Sequence, residues 1–227
     1  MNYLAVIPAR GGSKTIKNKN LVKINGQPLI RYTLDAALKC KKISEICVSS
    51  EDSKILDYCK KFPITTIKRP KNLAKDSTPT HPVIKHCLKF YKKLKKVPKN
   101  VIILQPTSPL RNFKHINKAI TKFEKYKNCE TLVSCSQIPH NFEPNSLMIE
   151  KNGFLHFVKK KKIFNKHKKK KFFARNGAAI YITKYPLIKK KIFGSKILKF
   201  EMDEYSSIDI DNLYDLKIFE LFMKHYK

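Results

Sequence analysis

Over residues 1–136, short apolar runs alternate strictly with segments of helical period, and this alternation constrains the fold more than any other feature of the chain. Residues 3–7 (YLAVI) form a compact apolar run ended by Pro8, as a buried strand does. Segment 28–39 spaces its apolar side chains at helical intervals behind a proline suited to a first turn. A strand at 45–50 follows, then a helix capped by Glu51-Asp52-Ser53 and running to about residue 60, then a strand at 64–67. Asp76-Ser77-Thr78-Pro79 is expected to cap a helix through Tyr91. Residues 101–104 (VIIL) are the most apolar strand, followed by a helix over 113–126 and a strand at 131–136. Such a series predicts right-handed βαβ units, hence an α/β domain with a mostly parallel sheet covered by helices on both faces.

Beyond Cys135 the rhythm breaks. Residues 146–158 read as a hairpin about Lys151-Asn152-Gly153, and residues 159–171 hold nine lysines. The expected organisation is one domain formed by 1–135 and 175–227, with 136–174 inserted as a basic arm. The lysine run reads as a solvated face, and Phe154, Phe157, Phe172 and Phe173 as packing or oligomer contacts. Strands are expected again at 178–183 and 196–200, and segment 207–211 precedes a last helix to about His225.

A formal charge of +32 first suggests nucleic acid, and a lysine-rich nucleic-acid-binding protein is the alternative from a different class. The kind of cation argues against it. The chain has 44 lysines and only five arginines, whereas base readout and bidentate phosphate clamps favour arginine. Lysine spread over nearly every exposed segment fits a compositional bias, so no specific nucleic-acid partner is expected. No run approaches the roughly 18 apolar residues of a membrane span, and Met1-Asn2-Tyr3 leads straight into a strand, so no leader is expected either. Six cysteines without a C-x-x-C and seven scattered histidines suit reduced thiols in a cytoplasmic protein.

Four stretches carry chemistry. Arg10-Gly11-Gly12-Ser13 leaves the first strand, with Lys14, Lys17 and Lys19 behind it. Two glycines let backbone N–H groups approach a ligand, and the cations suit a polyphosphate at the carboxyl edge of a sheet. It is neither a G-x-G-x-x-G fingerprint nor a P-loop, and a loop that is basic only because the protein is basic is an equal reading. Gln105-Pro106-Thr107-Ser108-Pro109-Leu110-Arg111 ends the most apolar strand, as an orienting surface for a polar sugar or as an ordinary turn. Ser207-Ile208-Asp209-Ile210-Asp211 alternates, so in a strand both aspartates would share a face and could hold a hard cation, while Asp211 could also cap the following helix. Arg175-Asn176-Gly177 offers a guanidinium and an amide to a substrate carboxylate, though a simple turn explains it locally.

Ile7-Pro8-Ala9-Arg10-Gly11-Gly12-Ser13-Lys14 with Lys19-Asn20, Leu104-Gln105-Pro106-Thr107-Ser108-Pro109-Leu110-Arg111, Asn176-Gly177-Ala178 with Ile180-Tyr181, and Ser207-Ile208-Asp209-Ile210-Asp211 together resemble the signature of CMP–sialic acid synthetases (acylneuraminate cytidylyltransferases). The resemblance implies a three-layer, Rossmann-like nucleotidyltransferase fold. It also implies Mg2+-dependent transfer of CMP from CTP to the anomeric hydroxyl of a nonulosonic sugar acid, with release of pyrophosphate. A sister enzyme for legionaminic or pseudaminic acid would carry the same motifs. By resemblance, Arg10, Ser13 and Lys19 hold the triphosphate, Asn20 and Arg69 contact the cytosine, Gln105 and Tyr181 face the sugar, and Asp209 and Asp211 bind the metal. Arg10, Lys19 and Asp211 are then the catalytic set, with Gly11 and Gly12 in the nucleotide loop and Arg175 and Asn176 beside the sugar. A homodimer whose inserted arms reach the partner's site is implied too. Two departures stand out: Ser13-Lys14-Thr15 replaces the commoner S-K-G, and Asn176-Gly177-Ala178-Ala179-Ile180-Tyr181 is one residue longer than N-G-A-I-Y.

Overall fold

A computed structural model describes residues 1–158 and 171–225; residues 159–170 of the lysine run lie outside the described residues. In chain order the elements are β1 (Tyr3–Pro8), β2 (Lys23–Ile24), β3 (Gln27–Pro28), α1 (Leu29–Leu38), β4 (Glu45–Ser50), α2 (Ser53–Cys59), β5 (Thr65–Lys68), α3 (Thr80–Lys93) and β6 (Asn100–Ile103). There follow α4 (Phe113–Lys125), β7 (Thr131–Gln137), β8 (Met148–Lys151), β9 (Phe154–Phe157), β10 (Phe173–Arg175), β11 (Tyr181–Lys184), α5 (Tyr185–Ile188), β12 (Ile197–Glu201) and α6 (Leu213–His225).

The main sheet runs β10-β7-β11-β6-β1-β4-β5, and β12 also pairs with β7, in parallel, off this path. Strands β6, β1, β4 and β5 are mutually parallel, and β11 runs antiparallel between β6 and β7. Strand period 2 sorts the side chains of β1 onto two faces. Tyr3, Ala5 and Ile7 pack with Ile30 and Leu34 of α1, Ile55 of α2 and Ile116 and Ile120 of α4. Leu4 and Val6 pack on the opposite face with Ile84, Leu88 and Tyr91 of α3 and Ile188 of α5. This gives the three-layer α/β architecture that the alternation predicts. Helix α4 shows the rule locally: Ile116, Ala119, Ile120 and Phe123 form its buried stripe, and Asn112 caps it by accepting from the amides of Lys114 and His115.

A third, smaller cluster positions the site. Ile16 from the opening loop, Ile24 and Leu29 pack with Ile210, Leu216 and Phe219. Helix α6 is thereby held under the opening loop, and the acidic couplet that precedes it is carried alongside. Full burial of a side chain the size of Ile210 contributes about 1.5–3 kcal/mol.

Several expectations change in detail. Helix α3 starts at Thr80 with no side-chain cap, because Pro79 holds the cap position and has no side-chain acceptor, while Asp76 pairs with Arg10 and Lys14. The strand expected at 178–183 begins only at Tyr181, since Gly177 and Ala178 both take left-handed conformations, at φ 63° and 60°. Segment 208–211 lies outside the sheet ladders. Its backbone tie to the sheet edge is Ile210 N–H donating to the Thr107 carbonyl at 2.7 Å. Strand β10 pairs with Ser136 and Gln137 of β7, so both ends of the inserted segment join the main sheet. All six cysteines are free and buried. Among the described residues no helix is long and apolar enough to cross a membrane.

Candidate active site

The chain passes from β1 to β4 and β5 on one side and then crosses back to β6 on the other, so β1 and β6 flank the point where strand order reverses. Open α/β sheets bind ligands in the crevice outside the carboxyl ends of such strands. The opening loop leaves β1 there, and the Gln105–Arg111 loop leaves β6 there.

A cleft of about 230 Å³ lies at this edge, lined by Arg10, Ser13, Lys19, Asn20, Arg69 and Asp211 among others. Lys19 Nζ donates to the Ile210 carbonyl at 2.8 Å and stands 3.4 Å from Asp211 Oδ1, joining positions 192 apart in sequence. Thr15 makes a second tie, its hydroxyl donating to the Asp211 carbonyl. Asn20 donates its amide to the Arg10 carbonyl at 2.8 Å, which holds the loop in its turn. Arg10 and Lys14 both pair with Asp76, whose carboxyl they hold below its usual range. The cleft thus carries cations for a polyanion and two acids, Asp76 engaged with Arg10 and Asp211 with Lys19.

Arg69 is buried and forked onto Glu51, with Nε and Nη2 at 3.0 and 2.9 Å from Oε2. Glu51 Oε1 accepts the Gly11 amide at 2.7 Å. Burial alone would push Glu51 up, but these amide bonds and the guanidinium outweigh it and hold the carboxyl low. Here the structure corrects the expectation for the glycines. Gly11 turns its N–H to Glu51 and not to the cleft, and a Cβ on it would collide with Asp52; neither Gly11 nor Gly12 lines the cleft.

A second cavity, of about 640 Å³, adjoins the first. Gln105 and Thr80 line both; Asp211 lines only the first, and Asp209 only the second. Arg175, Tyr181 and Phe193 lie on the second, where the guanidinium stands 5.2 Å from the centre of the Phe193 ring. Tyr181 meets Phe193 edge-on at 5.4 Å. Burial pushes the Tyr181 phenol up, with Arg175 opposing.

Asp209 is set by its neighbours. Gly177, at φ 63°, leaves space that its carboxylate fills, so that any Cβ at 177 would land on it. Asp209 Oδ1 is buried without a hydrogen-bond partner, and burial pushes its pKa up, the nearby Thr107 hydroxyl opposing and Asp211 adding to the rise. A desolvated carboxylate with an unpartnered oxygen, two positions from an exposed one, is a donor set that fits a hard divalent cation. No group of three or more histidine, cysteine or acidic side chains suited to a metal occurs among the described residues, so any ion here would complete its shell with ligand or solvent oxygens.

Asn176 departs from its expected place. Its side chain is buried and fully used: Oδ1 accepts from Ser134 Oγ at 2.7 Å, and Nδ2 donates to Ser207 Oγ at 3.0 Å. It anchors the turn and the couplet segment and lines neither cavity. Arg111, which the motif contains but to which sequence reasoning gives no role, is buried as well. Its Nε donates to the Ala179 carbonyl at 3.0 Å, and Nη2 to Thr33 Oγ1 at 2.8 Å and to the Gln105 carbonyl at 3.2 Å. Burial lowers this guanidinium to about 9. The available signal was compositional: an arginine retained where the chain otherwise uses lysine.

The sheet, with two adjoining cavities at its switch point, has the nucleotidyltransferase-type α/β fold of the solved structures it resembles. Within that class the chain belongs to the cytidylyltransferase family, whose model matches residues 4–216. It is 28% identical over 218 residues to an N-acylneuraminate cytidylyltransferase of Escherichia coli O18:K1:H7, covering 95% of this chain but 50% of that protein, so it spans about half of that relative. It is 26% identical over 226 residues to a pseudaminic acid cytidylyltransferase of Campylobacter jejuni, covering 99% of this chain and 97% of that one. In fold it is similar to a CMP:2-keto-3-deoxy-manno-octonic acid synthetase complexed with CTP, with a TM-score of 0.74, 17% identity and full coverage of both chains.

Proposed function

We propose that this protein transfers CMP from CTP to the anomeric hydroxyl of a nonulosonic sugar acid and releases pyrophosphate. The observation that carries the proposal is the pair of adjoining cavities: the cationic one ends at Asp211, the other at Asp209, and Gln105 stands between them. The family to which the chain belongs, and relatives named for sialic and pseudaminic acid transfer, support it.

In this reading the triphosphate enters the first cleft and displaces Asp76 from Arg10 and Lys14. Arg10, Ser13 and Lys19 hold the phosphates and offset the charge that builds on the α-phosphate and on leaving pyrophosphate. Asn20 and Arg69 close the cytosine end. The sugar acid lies in the second cavity with its carboxylate toward Arg175, while Gln105 orients its anomeric hydroxyl toward the α-phosphorus. The hydroxyl gives up its proton to solvent as its oxygen bonds to that phosphorus and the bond to the β-phosphate breaks, pyrophosphate leaving with the electron pair. Asp209 and Asp211 would hold Mg2+, which supplies charge neutralisation at the phosphates and raises the acidity of a bound hydroxyl. Asp209 stays in place through Gly177, and Asp211 through Lys19 and the burial of Ile210.

The segment 136–174 is proposed as a dimerisation arm, and the protein as a cytoplasmic homodimer. Supporting this, hairpin β8–β9 exposes Met148, Ile149, Phe154, Leu155 and Phe157, a run of apolar surface that a monomer rarely leaves open. The function is tested by Asp211→Asn. Turnover should fall about 100-fold while CTP affinity stays within about threefold, as for a group that acts mainly on the transition state. Equal losses in turnover and affinity would refute the role.

A further inference from the structure

The two edges of the main sheet differ in charge. Strands β1, β4, β5, β6, β7 and β12 run the same way, so their exits form the carboxyl edge, where the cavities lie, and their entries the opposite one. The exits 9–22, 51–52, 69–79, 104–112 and 202–212 hold eight cations and seven acids. The entries 39–44, 60–64, 94–99, 126–130 and 194–196 hold ten lysines and one acid, Glu130. A compositional bias toward lysine would load both edges alike and does not explain the missing acids. All ten lysines are exposed, and among the described residues ion pairs engage only Lys42, Lys60 and Lys96. Glu130 is turned to the backbone, its Oε2 accepting from the amides of Ser195 and Lys196 at 2.8 and 3.1 Å.

Apolar side chains stand among these lysines. Outside residues 142–158 and helix α6, the large apolar side chains left exposed among the described residues are Leu94, Val97, Tyr126 and Ile197, and all four lie at this edge. A groove of about 740 Å³ is lined by Tyr126 and Ile197 together with Lys125, Lys127 and Lys196. Lysine is a hydrated point charge without arginine's fork, suited to a diffuse negative surface more than to paired phosphate oxygens. Aliphatic side chains find no partner on a nucleic-acid backbone, whereas at a bilayer they reach the acyl boundary and tyrosine lies at headgroup level. We propose that the amino edge of the sheet docks on an anionic phospholipid bilayer, with its lysines on the headgroups and Leu94, Val97 and Ile197 at the acyl boundary. This is a surface contact and not a span, in keeping with the described helices, none of which is long and apolar enough to cross. Strand β1, six residues long, sets the cavities about 20 Å farther out. That exceeds the screening length of about 8–10 Å at physiological salt, so the bilayer's charge leaves the cationic cleft free for a polyanion.

The test is flotation of the purified protein with vesicles of phosphatidylcholine, alone or with about one-third phosphatidylglycerol, at about 0.15 M salt. The protein should float with the anionic vesicles only; equal recovery with both, or recovery with neither, overturns the docking. Each lysine near such a surface strengthens binding about fivefold, so Lys41→Gln, Lys95→Gln and Lys99→Gln together should weaken it about 100-fold. Lys54→Gln, Lys85→Gln and Lys217→Gln remove the same charge elsewhere and should weaken it less than about tenfold. Equal losses from the two sets overturn the placement at this edge. Leu94→Ser with Val97→Ser keeps the charge and should weaken binding several-fold, while unchanged binding overturns the bilayer as the partner. Edge-dependent binding to duplex DNA without binding to anionic vesicles assigns the face to nucleic acid and overturns the proposal as well. Circular dichroism reports that each variant is folded.

Discussion

Replacing Gly177 with alanine separates the stability of the fold from the placement of Asp209. The residue sits at φ 63°, where a side chain costs about 1–2 kcal/mol. In a chain of this size each kcal/mol lowers Tm by about 2–4 °C, so Gly177→Ala should melt roughly 2–8 °C lower. The larger effect is local. The new Cβ falls on the Asp209 carboxylate, which must retreat by about 1 Å or more to reach van der Waals distance. That motion is easy for a side chain to make, so it adds little to the melting shift. A misplacement of about 1 Å at a reacting centre costs on the order of 100-fold in rate. Steady-state kinetics should therefore show kcat down about 100-fold, while CTP affinity by calorimetry is retained, because Arg10, Ser13 and Lys19 do not touch Gly177. Ala178→Gly is the control: at φ 60° it relieves strain in the same turn and should keep or raise Tm with activity intact. Full turnover in a Gly177→Ala protein that melts lower as expected would refute the claim that Asp209 must stand where it does.

Other perturbations follow from the same geometry. Because the Glu51 carboxyl is held low in the folded state, its stabilisation is present above the ordinary carboxylate range and is lost as pH falls through the depressed value. Glu51→Gln should accordingly lower Tm more at pH 7 than at pH 3, and equal shifts at both would refute the ion-pair account. Asp76→Asn removes the acid that competes for Arg10 and Lys14, so CTP should bind about two- to fivefold tighter, and weaker binding would contradict the competition. Phe154→Asp with Phe157→Asp on the exposed hairpin should convert a dimer to monomer in sedimentation analysis; an unchanged mass would exclude the hairpin as the contact.

The layered sheet was legible in sequence because strand and helix periods dominate where burial is complete. Residues 3–7 and 101–104 are apolar on both faces, as strands covered by helices on each side must be. What stayed hidden was decided by contacts between distant segments. Asp76 looks like a helix cap locally, yet the cations of a loop 66 positions away claim it. Glu51 reads as part of a cap, but its carboxylate bridges Gly11 and Arg69. The alternation of Ser207 to Asp211 suggests a strand, although no neighbouring strand is available and Ile210 alone is drawn into the core. That alternation put both aspartates on one face, whereas Asp209 lines the second cavity and Asp211 the first. Asn176 was assigned to the sugar because motif chemistry shows an amide and cannot show that Ser134 and Ser207 have already engaged it.

The central claim is that the opening loop and the late acidic couplet serve one reaction across two adjoining cavities. Pyrophosphate release by the purified protein tests it most directly, with CTP, Mg2+ and a panel of nonulosonic acids, each component omitted in turn and CTP replaced by ATP, GTP or UTP. The account predicts release only when CTP, metal and a sugar acid are all present, with a CMP-sugar of matching mass as the second product. Release without a sugar acid, equal use of the other nucleotides, or no release with any acid would contradict it.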